Sequence, residues 1–179
     1  MTTTNTNHAA LNAEITDQPA VYVGTYGKYN NGSIAGSWVD LTEVTNYAEF
    51  MELCAAIHSD ETDPEFMFQD FQGFPRPLYH ESTMQSFFNV WEYILENLTD
   101  YDMAAVWAWV ENGCTVDTFE DAYSGEADSE NAFAEQLFDE IYLHDVPASV
   151  QSYIDYDKFT RDLFMTDYVY LNGYVFRNI

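Results

Sequence analysis

Tyr168-Val169-Tyr170-Leu171, then Asn172-Gly173, then Tyr174-Val175-Phe176 is the clearest local signal in the chain. Two runs of aromatic and β-branched residues stand two positions apart. Asn-Gly is the dipeptide that best accepts positive φ at both central positions of a type I′ turn. The stretch reads as an antiparallel hairpin. Working back from it, the period lengthens to that of helices. Asp155 or Asp157 caps one through Phe164, and Pro147 opens a shorter one carrying Val150, Tyr153 and Ile154. Asp128 or Ser129 caps another from Glu130 to Leu143. It places Phe133, Leu137, Phe138, Ile141 and Tyr142 on one side and leaves Glu130, Glu135, Asp139 and Glu140 towards water. Before that helix, Asp117 to Ala122 reads as a short helix and Ala122 to Glu126 as a short strand.

Further upstream, Met84, Phe87, Phe88, Trp91, Leu95 and Leu98 recur at helical spacing. A second helix, from about Asp102 to Asn112, buries Met103, Val106, Trp107 and Val110, with Gly113 at its left-handed stop. These two are expected to form a small helical middle domain, residues 78–114. On its N-terminal side, Val21 to Tyr26, Ile34 to Leu41 and Phe66 to Phe71 read as strands, with a loop over Gly27 to Ser33. Thr45 and Asn46 can cap a helix from Tyr47 to His58, which places His58 partly buried at its end. The expected organisation is a flexible tail (1–19), an N-terminal domain of strands plus a helix (20–77), the helical middle (78–114) and an acidic C-terminal domain of helices and short strands (115–179).

Charge sets the functional question. From Pro77 to Asp157 there is no lysine or arginine, yet eighteen of the chain's thirty-one carboxylates lie there. Surfaces ordinarily intersperse both signs, because like charges repel. Glu92 and Glu96 lie i, i+4 on one helix, with Asp100 a further step along, where a lysine would have helped the helix. Glu111, Asp117, Glu120, Asp121, Glu126, Asp128, Glu130, Glu135, Asp139, Glu140 and Asp145 follow. The net charge is -26, with 47% hydrophobic and 17% aromatic residues. An acidic disordered chain is poor in aromatics, so this is the charge of a folded protein. At one charge per roughly 1.7 Å of duplex axis, it matches about 44 Å, or on the order of 13 base pairs, of DNA.

Several function classes fall away. Five basic residues do not neutralise a phosphate track, so nucleic-acid binding is disfavoured. Carboxylate pairs such as Asp117 with Asp121 arise by chance in so acidic a chain. There is no HExxH and no G-x-S-x-G elbow, so no enzyme and no cofactor are expected. The glycine-rich Gly27 to Ser33 lacks both GxGxxG and GxxxxGK[ST]. His58 with Asp60, Glu61 and Asp63 departs from EF-hand order, and a solvated acidic loop is the plainer reading, with no metal site expected. Cys54 and Cys114 have no metal spacing and read as reduced thiols of a cytoplasmic protein. No secretory leader or membrane span is read, and anionic head groups would repel this surface.

Three readings remain. The first is a DNA mimic whose carboxylates stand in for phosphates in the groove of a DNA-binding enzyme. The second is a halophile's protein, acidic for solubility in salt, and the third an acidic cation-binding or adaptor protein. Clustering of acids from Glu111 to Asp145 favours the first, since solvent adaptation would spread them throughout.

The residues also resemble a known family. Val21-Tyr22-Val23-Gly24-Thr25, Lys28-Tyr29-Asn30 and Gly32-Ser33-Ile34-Ala35-Gly36-Ser37-Trp38 are similar to the start of the ArdA antirestriction proteins. Phe68-Gln69-Asp70-Phe71 with Gly73-Phe74-Pro75, Gly125-Glu126-Ala127-Asp128-Ser129-Glu130, and Val146-Pro147-Ala148-Ser149-Val150 with Tyr153-Ile154-Asp155-Tyr156 and Arg161-Asp162-Leu163 follow in the same order. The resemblance runs from about Ala20 to Arg177. It implies an α+β fold of small domains in an elongated, curved homodimer that mimics bent DNA, with the dimer contact in the C-terminal domain. It also implies inhibition of type I restriction-modification enzymes, encoded on a phage or other mobile element. The antirestriction segment of the family corresponds to roughly Glu130 to Asp145.

Overall fold

The computed structural model describes residues 18–179, so the expected tail lies almost wholly outside the described residues. The fold is α+β, with eight α-helices and two three-stranded antiparallel sheets among the described residues. It divides into two compact units, one through Asp100 and one from Tyr101.

In the first unit, β1 (Ala20–Thr25) is followed by α1 (Tyr26–Asn30), β2 (Ser37–Asp40), α2 (Tyr47–Ile57), β3 (Phe66–Gln72) and α3 (Gln85–Asn97). The sheet order is β2-β1-β3, with Val21 opposite Val39 and Phe71 and a register shift after Tyr22. Val21, Val23, Val39 and Phe68 of the sheet are buried, as are Phe50 and Cys54 of α2 and Phe87, Phe88 and Trp91 of α3. Phe50 packs on Phe68 and Phe88 at ring centroids of 5.5 and 5.1 Å. The Trp91 indole N–H donates to the Val44 carbonyl at 2.9 Å, which ties α3 to this unit.

Three local expectations change, the first being that the strand expected from Ile34 to Leu41 forms only over Ser37–Asp40, with Ile34 left exposed. The loop expected over Gly27 to Ser33 begins as one turn of helix, because the Thr25 hydroxyl accepts from Lys28 N at 3.1 Å and caps it. On α3, Ile94 is buried and Leu95 is exposed, the reverse of the expected stripe. Neighbouring residues differ by only about 100° around a helix, so a stripe does not separate them.

In the second unit, α4 (Met103–Glu111) leads through α5 (Phe119–Ala122) and β4 (Tyr123–Glu126) to α6 (Glu130–Ile141). Then come α7 (Ala148–Gln151), α8 (Tyr156–Thr166) and the hairpin β5 (Tyr168–Leu171) and β6 (Tyr174–Arg177). The sheet order is β4-β6-β5, so the C-terminal strand is central. Asn172 and Gly173 have φ of 52° and 97°, as the type I′ turn requires. Trp109 of α4 stacks on Phe176 of β6 at 4.9 Å, and Phe119 completes the cluster. Trp109, rather than Trp107, is the buried tryptophan of α4. Thus α3 and α4, which the sequence reading groups in one middle segment, lie in different units.

Ser129 caps α6, its hydroxyl accepting from Ala132 N at 3.1 Å. The helix packs on α8 through Phe133 against Phe164 and Phe138 against Phe159. At the end of its apolar side Ile141 and Tyr142 are 48% and 49% exposed, with the Tyr142 ring edge-on to Phe159 of α8 at 6.2 Å. No helix among the described residues is long and apolar enough to cross a membrane.

Candidate functional site

The expected site residues divide between the units. Glu92 and Glu96 sit on α3, with Asp100 at the end of the first unit. The other eleven belong to the second: Glu111 ends α4, Asp117 lies in the turn before α5, and Glu120 and Asp121 are on α5. Glu126 ends β4, Asp128 is in the next loop, and Glu130, Glu135, Asp139 and Glu140 are on α6. Asp145 lies in the short 3-10 turn after α6. All fourteen are exposed. Glu126 and Asp128 share the rim of a shallow depression of ≈500 Å³ with Gln136 and Tyr174.

Each of the five lysines and arginines has partners other than these fourteen carboxylate groups. Lys28 pairs with Asp60 at 2.9 Å and Glu61 at 3.5 Å, while Lys158 and Arg161 both pair with Asp162. The Arg76 guanidinium lies over the Phe71 and Tyr79 rings and donates to the Tyr79 carbonyl at 3.0 Å. Arg177 donates to the Asp121 backbone carbonyl at 2.9 Å. Among the described residues, then, no lysine or arginine forms an ion pair with any of the fourteen carboxylates. The nearest cationic candidate is His144, whose ring lies 3.3 Å from Asp145.

What holds several carboxylates is hydroxyl. The Tyr156 phenol donates to Asp139 at 2.7 Å, Tyr101 to Glu120 at 3.3 Å and Tyr174 to Asp102 at 2.7 Å. Gln136 donates to Glu140 at 2.9 Å along α6. Asp102 also caps α4, accepting from Ala104 N at 3.0 Å. That backbone bond first, and the Tyr174 phenol second, hold its carboxyl below the usual range. Reciprocally, the Tyr174 phenol is pushed up to about 12, mainly by its bond to Asp102. In the sequence Asp102 marks only a helix start. Its partner lies 72 positions away, and no local pattern shows that.

The one His-and-carboxylate cluster close enough for a metal ion among the described residues is His58, Asp60 and Glu61. Its centre is held by Lys28. The Lys28 ammonium donates to His58 Nδ1 and to Asp60, both at 2.9 Å. An ammonium has only hydrogens to give, so Nδ1 accepts, and the neutral ring carries its proton on Nε2, 3.2 Å from the Val23 carbonyl. His58 is fully buried, beyond the partial burial expected from its place at the helix end. Lys28→Met is expected to lower stability by about 1–3 kcal/mol, because it leaves a buried Nδ1 acceptor unpaired. Urea denaturation checks this, and a loss below about 0.5 kcal/mol counts against the clamp.

Fold and site together define an acidic α+β protein that presents carboxylates without neutralising cations. The family model described as antirestriction protein (ArdA) matches residues 21–176. The chain belongs to the ArdA antirestriction family, whose members are inhibitors of restriction. No curated protein matches the chain.

Proposed function

We propose that this chain inhibits type I restriction-modification enzymes by occupying their DNA-binding groove. The observation that carries the proposal is that fourteen exposed carboxylates face solvent and none forms an ion pair with any of the five lysines and arginines. Such a surface offers groove lysines and arginines the charge they otherwise take from phosphate. Contacts of that kind position DNA without reading it. An inhibitor copying only backbone charge is then indifferent to the target enzyme's recognition sequence. Occupying a groove shared by both activities blocks methylation as well as cleavage. The site of action is the cytoplasm, where restriction operates.

The acting species in this proposal is a homodimer joined through the second unit. Ile141, Tyr142, Val150 and Tyr153, 45–83% exposed, supply apolar surface that a single copy leaves in water. The division of labour expected from the sequence, with Glu130 to Asp145 as the antirestriction segment, is part of the same proposal.

Competition with duplex DNA for a purified type I methyltransferase core tests it. Stoichiometric displacement at low salt, weakening steeply as salt rises, is the expected result. No displacement, together with a fold that needs molar salt, would make the acidity a solvent adaptation and end the groove reading.

A further inference from the structure

A lysine or arginine beside a carboxylate fixes its rotamer and cancels its charge. A phenol O–H fixes the rotamer and leaves the charge at full value. In the second unit the second device recurs. Tyr156 in the first turn of α8 reaches Asp139 in the last turn of α6. Tyr174 of β6 reaches Asp102 at the start of α4, and Tyr101 reaches Glu120 of α5. The three bonds join residues 17, 72 and 19 positions apart, so each acid is anchored to another element of the fold.

We infer that Tyr156, Tyr174 and Tyr101 are positioning residues for the acidic surface, holding Asp139, Asp102 and Glu120 in place before a cationic partner arrives. The inference rests on the proposed groove occupancy and adds to it which residues preorganise the carboxylates. An ionised carboxylate accepts at about four lone-pair sites. The Tyr156 phenol bonds only Asp139 Oδ1, so further acceptor capacity is left for a guanidinium or ammonium. At Asp102 the labour is divided: Oδ1 takes the α4 cap and Oδ2 takes the phenol. Immobilising a surface side chain on association weakens binding, and a side chain already held avoids that loss.

The test is the same competition with duplex DNA for a type I methyltransferase core, run across a salt series with Tyr156→Phe, Tyr174→Phe and the double variant. Each single change removes one hydroxyl and no charge. Each is expected to weaken binding about threefold and the double about tenfold, the order set by immobilising one side chain apiece. The slope of log affinity against log salt stays that of the unsubstituted protein. Asp139→Asn, by contrast, flattens that slope, which a purely structural loss would not do in this pattern.

A double variant that binds as tightly as the unsubstituted protein overturns the inference and leaves groove occupancy standing. An unsubstituted protein that fails to displace DNA removes both, and that result is read before any variant. Should the double variant not fold, spectrophotometric titration of the phenols decides instead. Tyr174 is expected to ionise near 12 and to return towards the ordinary tyrosine range in Asp102→Asn. A titration of the intact protein with every phenol near the ordinary value would show that the Tyr174–Asp102 anchor does not form in solution, and the inference would fail.

Discussion

Converting Glu130, Glu135, Asp139 and Glu140 together to their amides is expected to weaken displacement of DNA by roughly a hundredfold at low salt, at about threefold per exposed charge pair. Any one of the four alone should cost only about threefold, because binding is distributed over many carboxylates. Stability should move the other way. Glu135 and Asp139 stand i, i+4 as like charges, and Asp139 and Glu140 lie in the last turn of α6, where the helix dipole disfavours anions. Only Glu130, in the first turn, has a charge the helix welcomes. The amide variant should therefore keep or raise its thermal midpoint while losing inhibition. A weaker inhibitor in a stabler protein marks residues kept for binding at some expense to the fold. Solvent adaptation predicts unchanged inhibition and worse solubility at high salt. Four amides that leave the affinity unaltered would remove the exposed face of α6 from the contact.

The sequence made the hairpin legible because its turn is decided locally. Asn172-Gly173 tolerates the left-handed backbone that few other pairs do, and its φ values of 52° and 97° show it in that region. The helix from Glu130 was equally plain, since Ser129 and the spacing from Phe133 to Phe138 specify its start and its buried side. What periodicity did not reveal was where burial stops. Ile141 and Tyr142 continue the stripe but are half exposed, although the Tyr142 ring still meets Phe159 of α8 edge-on at 6.2 Å. The turn of helix at Tyr26–Asn30 was hidden by Gly27 and Asn30, both poor helix formers, and depends on the Thr25 cap. The acids themselves are plain in the sequence, and every one of the fourteen carboxylates is exposed. Their anchoring is not plain there. A phenol 17 or 72 positions distant leaves no mark on the spacing of the acids it holds.

Trp109→Ala is expected to destabilise the protein by about 3–5 kcal/mol, the range for removing a buried tryptophan. Stability runs at roughly 0.05–0.15 kcal/mol per residue, so this is a large part of what a unit of this size has. Trp109 is 4% exposed and stacks on Phe176, which lies on the central strand of its sheet. Its indole N–H also donates to the Thr115 carbonyl at 3.1 Å and to the Thr118 hydroxyl at 3.2 Å. Trp109→Phe separates the two contributions. It keeps a ring against Phe176 but leaves the Thr115 carbonyl one donor short, so it should fall well inside the alanine loss. Because the Thr118 hydroxyl itself donates to that carbonyl at 2.8 Å, the polar part of the loss should be small. Urea midpoints at constant m-value read both numbers. The consequence for function is indirect but specific. The strand that Trp109 braces also carries Tyr174, and so the anchor of Asp102 at the head of α4. Inhibition by Trp109→Ala should track the folded fraction as temperature rises, whereas the amide variant of α6 should be a poor inhibitor at every temperature at which it is folded. An alanine variant that loses less than about 1 kcal/mol would mean that α4 does not brace the sheet through this ring.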